Sequence, residues 1–314
     1  MTPPRWHTME VGMVIVRLMG GLGNQMFQYA TGRAVALRLE TELILDKTWS
    51  ATKGPDPWRG YELNRFRVEE REMTGWEWTW LRPRGAGEPR GIWPARMLRG
   101  LARRTFVSVR RPEHAGVFDP KVFAPARRIY LDGYWQSERY FAADEDVIRE
   151  EFQWREEPDA DNGALLEQIR RWKGEAVAMH VRRGDYVSDA KTNAFHGVCG
   201  IDYYERAVAE IQSRVRKPQF FVFSDDPAGV RENLRVEGSG GATVYVTHNV
   251  GKRNAEDLRL MAACRHFVIA NSSFSWWGAW LGEHPEKVVV APRKWFARAE
   301  EQMDDLLPAA WVRV

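Results

Sequence analysis

Short apolar runs alternate with amphipathic stretches through the second half of the chain. The runs have the length of strands and lie at residues 176–181, 219–223, 242–246, 266–270 and 287–291. The stretches between them carry apolar residues at helical spacing, at residues 202–215, 228–234, 254–264 and 272–281. Strands that alternate with helices in this way predict a parallel sheet joined by right-handed crossovers.

The first half of the chain begins with the same alternation and then loses it. A strand at 14–18 leads through a glycine-rich loop into a helix at about 26–39, and a second strand follows at 42–46. Residues 48–125 are irregular and rich in Trp, Arg, Gly and Pro, and regularity returns at 129–136. The opening unit of strand, loop, helix and strand is typical of a Rossmann-like domain.

The length of the chain predicts more than one domain. Its 314 residues exceed the size at which a single hydrophobic core stops growing. We therefore predict an α/β fold with two Rossmann-like domains facing across a cleft. The predicted bounds are 13–160 for the first domain, with 48–125 as an irregular insertion, 161–296 for the second, and 297–314 for a C-terminal tail.

Composition narrows the class of protein. Hydrophobic residues make up 44% and charged residues 28%, as in ordinary globular proteins, and a net charge of +3 argues against a nucleic-acid partner. Two cysteines are too few for a disulfide scaffold and fit a reducing compartment. No apolar run reaches the roughly 18 residues of a membrane span, and no signal-peptide pattern opens the sequence. We expect a cytoplasmic protein.

Two adjacent arginines follow the strand at 176–181. They lie in the segment His180-Val-Arg-Arg-Gly-Asp185. Ligands of open α/β sheets bind at the carboxyl ends of the strands. Arg182 and Arg183 at such an end favour a polyanion, because a guanidinium binds phosphate bidentately and never loses its charge. The alternative is an ion pair between Arg and Asp at the surface.

A glycine loop and a pair of carboxylates are further candidates. The Gly20–Gly23 loop lets a ligand approach the backbone at the start of a helix, although a tight turn explains the glycines equally well. Asp225 and Asp226 lie just after the strand at 219–223. Since Asp-Pro is a good helix start, Asp226 is interpreted as an N-cap and Asp225 as the site residue.

Three further candidate residues lie near the starts of two later helices. The hydroxyls of Ser272 and Ser273, with the backbone N–H groups beside them, could hold a phosphate. Asp257 either complements a helix dipole or accepts hydrogen bonds from guanine N1–H and N2–H. Asn271 opens a glycosylation sequon that we interpret as accidental.

Five motifs follow one another along the chain. They are Gly20-Gly-Leu-Gly-Asn-Gln-Met-Phe-Gln-Tyr29, Asp132-Gly-Tyr-Trp-Gln-Ser137, His180-Val-Arg-Arg-Gly-Asp-Tyr186, Phe223-Ser-Asp-Asp226 and Asn271-Ser-Ser-Phe-Ser-Trp-Trp277. Together they resemble glycosyltransferase family 11, the bacterial galactoside α-1,2-fucosyltransferases, and more distantly the α-1,6- and protein O-fucosyltransferases. The likeness covers about residues 13–296, and it is weakest at 48–125 and before Met13.

The resemblance implies a GT-B fold and inverting transfer of L-fucose from GDP-β-L-fucose to the 2-hydroxyl of a terminal galactose, without a metal or other cofactor. Arg182 would bind the β-phosphate and serve catalysis, and Asp257 would read guanine. The remaining implied donor contacts are Gly21, Gly23, Asn24, His180, Asp225, Ser272 and Ser273. As general base, Asp185 is the first candidate and Asp189 the second, because both lie near Arg182.

Other functions fit parts of the same pattern. A fucosyltransferase of α-1,6 or protein O-linkage would keep the donor site and change the acceptor. A carbohydrate-binding protein without activity would use the 15 tryptophans as stacking platforms. Residues 82–111 carry nine arginines and one acid, with apolar residues at helical spacing around Trp93. This pattern fits a helix packed on the core with solvated arginines, and it also fits a peripheral contact with the inner membrane.

Overall fold

The computed structural model describes residues 12–51, 60–75, 107–182, 199–238, 240–296 and 302–314. The chain divides into two compact units, residues 1–154 and 155–314. The division lies six residues before the predicted boundary. Residues 302–314 belong to the second unit and contribute a strand to its sheet, so the segment predicted as a tail is part of that unit.

The first unit is built around a four-stranded parallel sheet in the order β2-β1-β4-β3. Its strands are β1 (Met13–Arg17), β2 (Glu42–Asp46), β3 (Ser108–Arg110) and β4 (Arg128–Leu131). Its helices are α1 (Leu22–Arg38), α2 (Thr48–Ala51) and α3 (Glu145–Glu151). Short 3-10 turns lie at Leu63–Arg65, Pro120–Phe123, Glu138–Tyr140 and Ala142–Asp144.

The long helix α1 lies directly on this sheet because a glycine permits the close approach. A Cβ at Gly32 would lie 3.0 Å from Leu43 Cδ1 and 3.1 Å from Val16 Cβ. The helix also buries polar residues: Gln25 and Gln28 have almost no exposed surface, and their amides bind backbone groups of neighbouring loops. Helix α1 therefore packs on the strands and also binds two neighbouring loops through its buried glutamines.

The second unit has a six-stranded sheet in the order β10-β9-β8-β5-β6-β7, and every pair is parallel. Its strands are β5 (Glu175–Val181), β6 (Pro218–Ser224), β7 (Val244–Tyr245), β8 (His266–Val268), β9 (Val289–Ala291) and β10 (Val312–Arg313). Its helices are α4 (Ala160–Arg171), α5 (Ile201–Arg214), α6 (Pro227–Asn233), α7 (Ala255–Ala262) and α8 (Ser273–Leu281), with a 3-10 turn at Gly251–Asn254. The predicted parallel sheet with intervening helices is confirmed.

Tryptophan side chains form part of the core of the second unit. Trp276 and Trp277 of α8 are fully buried, and Trp280 stacks on Trp276 with ring centroids 6.2 Å apart. Trp311, just before β10, packs against Trp276 at 5.4 Å. These four rings stabilise the fold, so they are not platforms for a carbohydrate.

No helix within the described ranges is long and apolar enough to cross a membrane. Of the basic segment 82–111, the structure describes residues 107–111, which contain the strand β3. Arg110 donates to the carbonyls of Val122 and Ala124, and Arg111 pairs with Asp132 at 2.7 Å. These two arginines are therefore used inside the first unit, and the other seven lie outside the described residues.

Candidate active site

The order of strands in the second sheet creates a switch point between β5 and β8. From β5 the chain proceeds outward through β6 to β7, and it then returns to the other side of β5 to form β8, β9 and β10. Strand β5 is therefore followed in the chain by its neighbour on one side, β6, and β8 by its neighbour on the other side, β9. Ligands of open α/β sheets bind in the crevice at such a point, beyond the carboxyl ends of the strands.

Arg182 and Asp225 meet at this edge because their strands are in register. His180 pairs with Phe223 and Val181 with Ser224, so the next residue of each strand is a direct neighbour of the other. The Nη1 atom of Arg182 lies 2.9 Å from Oδ2 of Asp225. The side chain of Asp225 is 7% exposed and that of Arg182 is 22% exposed, so the pair orients a guanidinium that a ligand can still reach.

His180 lies beneath this pair as a neutral imidazole. Only 4% of the residue is exposed, and burial lowers its pKa to about 4, with the Asp225 carboxylate opposing the shift and Arg182 adding to it. Its ring lies 5.5 Å from that of Phe274. The Nδ1 atom is buried and has no hydrogen-bond partner among the described residues. His180 therefore offers a hydrogen-bonding group without adding positive charge.

The N-terminus of α8 faces the other side of the switch point. Ser272 is the N-cap residue and is extended, and in the described part of the chain its hydroxyl makes no capping hydrogen bond. The hydroxyl of Ser275 instead donates to the carbonyls of Ala270 and Ser272. An uncapped helix start presents backbone N–H groups and a positive dipole end, which suit a phosphate.

Asn271 is a structural residue at the same edge. Its amide nitrogen donates to the carbonyl of Trp295 at 3.1 Å, and the Cys199 thiol donates to its amide oxygen at 3.3 Å. The side chain is buried. The Asn271 side chain of the sequon is therefore engaged in the core of the second unit.

The two adjacent aspartates have separate partners. Asp225 pairs with Arg182, whereas Asp226 is the N-cap of α6 and accepts a hydrogen bond from Gly229 N at 3.1 Å. The predicted capping role of Asp226 is confirmed. Because each carboxylate has its own partner, the pair does not act as one acidic group.

Asp257 is part of a buried network of amides. It is 3% exposed and accepts a hydrogen bond from Asn249 Nδ2 at 2.8 Å, and Asn249 in turn binds Asn162 of α4 at 2.8 Å. His248 lies 2.9 Å from the same Asn162. Burial raises the pKa of Asp257 to about 8, and the hydrogen bond from Asn249 opposes the shift. Asp257 therefore holds a proton near neutral pH unless a ligand donates to it.

In the first sheet, two of the predicted motifs begin just beyond the carboxyl ends of the neighbouring parallel strands β1 and β4. The glycine loop follows β1, with Gly20 at a φ of +77° that favours glycine, and a Cβ there would lie 2.7 Å from Asn24 Nδ2. Gly21 is the N-cap of α1 and has no side chain to occupy the helix start. Both the turn and the close contact with Asn24 therefore require glycine at position 20.

The segment after β4 meets this glycine loop. Gln136 Nε2 donates to Asn24 Oδ1 at 2.8 Å, and Asp132 binds Arg17 at the end of β1 at 3.0 Å. Residues 132–137 form one of the five sequence motifs, and the sequence alone predicted no role for them. Their position directly after an apolar strand was the signal that could have identified them.

The structure brings together some of the predicted site residues and leaves others undescribed. His180, Arg182, Asp225, Ser272 and Ser273 lie at the carboxyl ends of three adjacent strands of the second sheet, β6, β5 and β8. Gly21, Gly23 and Asn24 lie at the equivalent edge of the first sheet. Arg183 and both candidate bases, Asp185 and Asp189, are outside the described residues.

Comparison with known proteins identifies the family to which the chain is similar. The sequence model of glycosyl transferase family 11 matches residues 113–314. The chain is 31% identical to an alpha-1,2-colitosyltransferase of Escherichia coli, over 97% of this chain and 99% of that protein. It is 30% identical to the O-antigen biosynthesis glycosyltransferase WbnK of Escherichia coli, over 89% of this chain and 94% of that protein.

Mammalian relatives and a solved structure extend the likeness. The mouse galactoside 2-alpha-L-fucosyltransferase Sec1 is 26% identical over 89% of this chain and 67% of its own. The crystal structure of NodZ alpha-1,6-fucosyltransferase soaked with GDP-fucose, an enzyme from Bradyrhizobium, superposes with a TM-score of 0.50. It is 16% identical over 87% of this chain and 93% of that chain. The predicted α/β fold of GT-B type is confirmed.

Proposed function

The chain belongs to glycosyl transferase family 11, and from this premise we propose that it transfers L-fucose from GDP-β-L-fucose to the 2-hydroxyl of a terminal galactose. The transfer inverts the anomeric configuration in a single displacement. One observation carries the proposal: Asp225 holds the guanidinium of Arg182 at the switch point of the second sheet, beside the uncapped start of α8.

The proposed role of this edge is to stabilise the leaving diphosphate. Negative charge grows on the diphosphate as the bond to the sugar breaks, and fixed donors aimed at it lower the barrier. Arg182 supplies a permanent positive charge, and His180 supplies a neutral hydrogen-bonding group. Ser272 and Ser273 supply hydroxyl groups, and Ser273 at the start of α8 also supplies a backbone N–H. Because these groups can do the work of a divalent cation, we expect transfer to proceed without a metal.

The proposed reader of the base is Asp257. Guanine presents N1–H and N2–H as adjacent donors, and a carboxylate with two acceptor oxygens matches that pair. We also propose that Gly21, Gly23 and Asn24 approach the donor. The proton of the acceptor hydroxyl is removed by Asp185 or Asp189.

The deciding experiment is incubation of the protein with GDP-L-fucose and oligosaccharides that end in β-galactose, in buffer with EDTA. Linkage analysis of the product should give an α-1,2-fucoside. An α-1,6-linked or protein-linked product would support the proposed donor but contradict the proposed acceptor. A strict requirement for a divalent cation would contradict the role proposed for Arg182.

A second donor, GDP-colitose, is favoured by the 31% identity to the colitosyltransferase over nearly the whole of both chains. Colitose is L-fucose without its 3-hydroxyl. A site that hydrogen-bonds the 3-hydroxyl discriminates by about 10⁴-fold against a sugar that lacks it, because the buried partner is left unpaired. The ratio of kcat/KM for the two donors therefore distinguishes them: a large preference for GDP-fucose supports the first proposal, and a preference for GDP-colitose supports the second.

A further inference from the structure

Polar side chains from three separate elements meet at the carboxyl edge of the second sheet. Asn162 lies near the start of α4, Asn249 follows β7, and Asp257 lies in the first turn of α7. A helix that leads into a strand of a parallel sheet begins at the carboxyl edge, as α4 does before β5 and α7 does before β8. These residues therefore lie at the same edge of the sheet as Arg182.

The two asparagines form a closed pair of amides. Asn162 Nδ2 donates to Asn249 Oδ1 at 3.0 Å, and Asn249 Nδ2 donates to Asn162 Oδ1 at 2.8 Å. The other N–H of Asn162 binds Asp159 at 3.0 Å, and the other N–H of Asn249 binds Asp257 Oδ1 at 2.8 Å. Each amide nitrogen thus has an acceptor for both of its hydrogens. The orientation of Asn249 is fixed by this pattern, because a rotated amide would place its oxygen against the carboxyl oxygen of Asp257.

The outer part of the network anchors Asn162. His248 Nε2 lies 2.9 Å from Asn162 Oδ1 and donates to it, because an amide oxygen only accepts. Asp159 is the N-cap of α4 and accepts a hydrogen bond from Asn162 N at 3.0 Å. Arg253, in the 3-10 turn before α7, donates to Asp159 at 2.8 Å. The segment that carries Asn249 is therefore joined to the start of α4 at two points, which holds the amide of Asn249 in place.

Two acids lie next to each other in the first turn of α7, and they have different partners. Glu256 binds Arg259 of the same helix at 2.8 Å. Asp257 accepts the hydrogen bond from Asn249 and no other from within the described residues. A carboxylate offers about four acceptor positions, so both oxygens of Asp257 keep capacity for a ligand.

We propose that Asn249 is a positioning residue for recognition of the base: by fixing the plane of the Asp257 carboxylate, it aligns both oxygens with N1–H and N2–H of guanine. A carboxylate that rotates freely can bind N1–H alone, which hypoxanthine also presents. A carboxylate held in one plane selects the base with both donors, because a missing amino group leaves an acceptor unpaired. The inference rests on the proposed function in one respect, that Asp257 reads guanine.

Calorimetry with GDP and inosine diphosphate (IDP) tests this role, because hypoxanthine keeps N1–H and lacks the 2-amino group. We expect the original protein to bind GDP about 10- to 100-fold more tightly than IDP. Asn249→Ala should lower this ratio to about threefold or less, because it weakens the binding of GDP more than that of IDP. A residue that only stabilised the fold would change the affinities for both nucleotides equally and leave their ratio unchanged.

Two measures keep the result independent of folding. Both nucleotides are titrated into one preparation, and the binding stoichiometry counts the folded sites. Asn249→Leu, which fills the space that alanine leaves empty, should give the same low ratio. Asn233→Ala is the matched control: this exposed asparagine of α6 donates to the carbonyl of Gly229 at 2.7 Å, outside the network, and its loss should leave the ratio unchanged.

Equal binding of GDP and IDP by the original protein, or Asn249 variants that keep the original ratio, would overturn the inference. The proposed transfer is tested separately by the consumption of GDP-fucose with and without acceptor. If transfer occurs and the Asn249 variants keep the ratio, the positioning role is wrong and the function stands. If no GDP-fucose is consumed but the ratio falls in the Asn249 variants, the positioning role stands and the function is wrong.

Discussion

Arg182 and Asp225 occupy the first positions beyond two neighbouring parallel strands, and their charged groups lie 2.9 Å apart. The register of β5 and β6 alone places them side by side. A guanidinium held in this way loses little conformational entropy when it binds a phosphate. The ion pair therefore prepares Arg182 for an anion.

Substitution of Arg182 should abolish most of the activity. We expect Arg182→Ala to lower kcat about 100- to 1000-fold, and Arg182→Lys to remain strongly impaired, because an ammonium is a point charge and cannot form a bidentate contact. Initial rates with GDP-fucose measure both effects. Near-normal turnover by the lysine variant would contradict the proposed contact with the diphosphate.

The adjacent aspartates give a matched pair of variants. Asp225→Asn should lower kcat about 100-fold with little change in thermal stability, because the guanidinium loses its fixed orientation. Asp226→Ala should leave kcat unchanged and lower the free energy of unfolding by about 1 kcal/mol, because α6 loses its N-cap. Rates and urea unfolding curves for the two proteins separate the roles; equal effects on kcat would refute the assignment.

Asp257 should make the binding of GDP depend on pH. Its pKa is raised to about 8, and guanine donates two hydrogen bonds, so binding favours the ionised carboxylate and releases a proton. The affinity for GDP should rise between pH 6 and about 8. Calorimetry in two buffers of different ionisation enthalpy measures the proton directly, and Asp257→Asn should abolish both effects. GDP binding without proton release would remove Asp257 from guanine recognition.

The same residue makes stability depend on pH. Since the folded pKa is raised above the usual value of 3.8, the stability contributed by the neutral form is full below that pH and is lost as the pH rises toward about 8. Asp257→Asn should therefore gain stability over the original protein as the pH rises from 5 to 8. Urea unfolding at several pH values tests this, and parallel curves for the two proteins would contradict it.

Trp311 should behave as a core residue. It is buried against Trp276, and Trp276 Nε1 donates to the carbonyl of Leu306 at 2.9 Å. Trp311→Ala should lower the free energy of unfolding by about 3–5 kcal/mol, because it leaves a cavity. Ala310→Ser, at the exposed neighbouring position, is the control. A small effect of Trp311→Ala would mean that residues 302–314 are dispensable to the second unit.

The membrane contact predicted for residues 82–111 is still a prediction. Vesicles of phosphatidylglycerol should sediment the protein at low salt and release it at high salt, because each arginine near an anionic surface contributes about 1 kcal/mol that salt screens. Replacement of Arg96, Arg99, Arg103 and Arg104 by Gln should abolish binding. Arg110 and Arg111 are left unchanged because the fold uses them. Sedimentation that does not change with these replacements would reject the hypothesis.

Apolar runs predicted most strands of the fold, including the short strands β7, β8 and β9, but they did not predict β3 or β10. The strand at 42–46 has the predicted bounds, and β5 begins one residue early. In contrast, β3 and β10 have three and two residues and were not predicted. These two strands form because β4 and β9 offer pairing partners.

The candidate site was predicted where chain position alone determines it. Arg182, Asp225 and Ser272 follow consecutive strands or begin a helix, and a parallel sheet gathers such positions at one edge. The network of Asp257 could not be predicted, because Asn162 is 87 residues from Asn249 in sequence and no local pattern relates them. The contact of Gln136 with Asn24 spans 112 residues and was missed for the same reason.

The two buried glutamines of α1 couple separate loops to one rigid body. Gln25 binds the carbonyls of Gly20 and Gly60, and Gln28 binds the N–H of Met19 and the carbonyl of Gly133. A helix packed this tightly has little internal motion, so the attached loops share its rigid-body fluctuations. On the nanosecond timescale the glycine loop and the segment after β4 should consequently show correlated motion of small amplitude, and a Gln28→Ala protein would release one from the other.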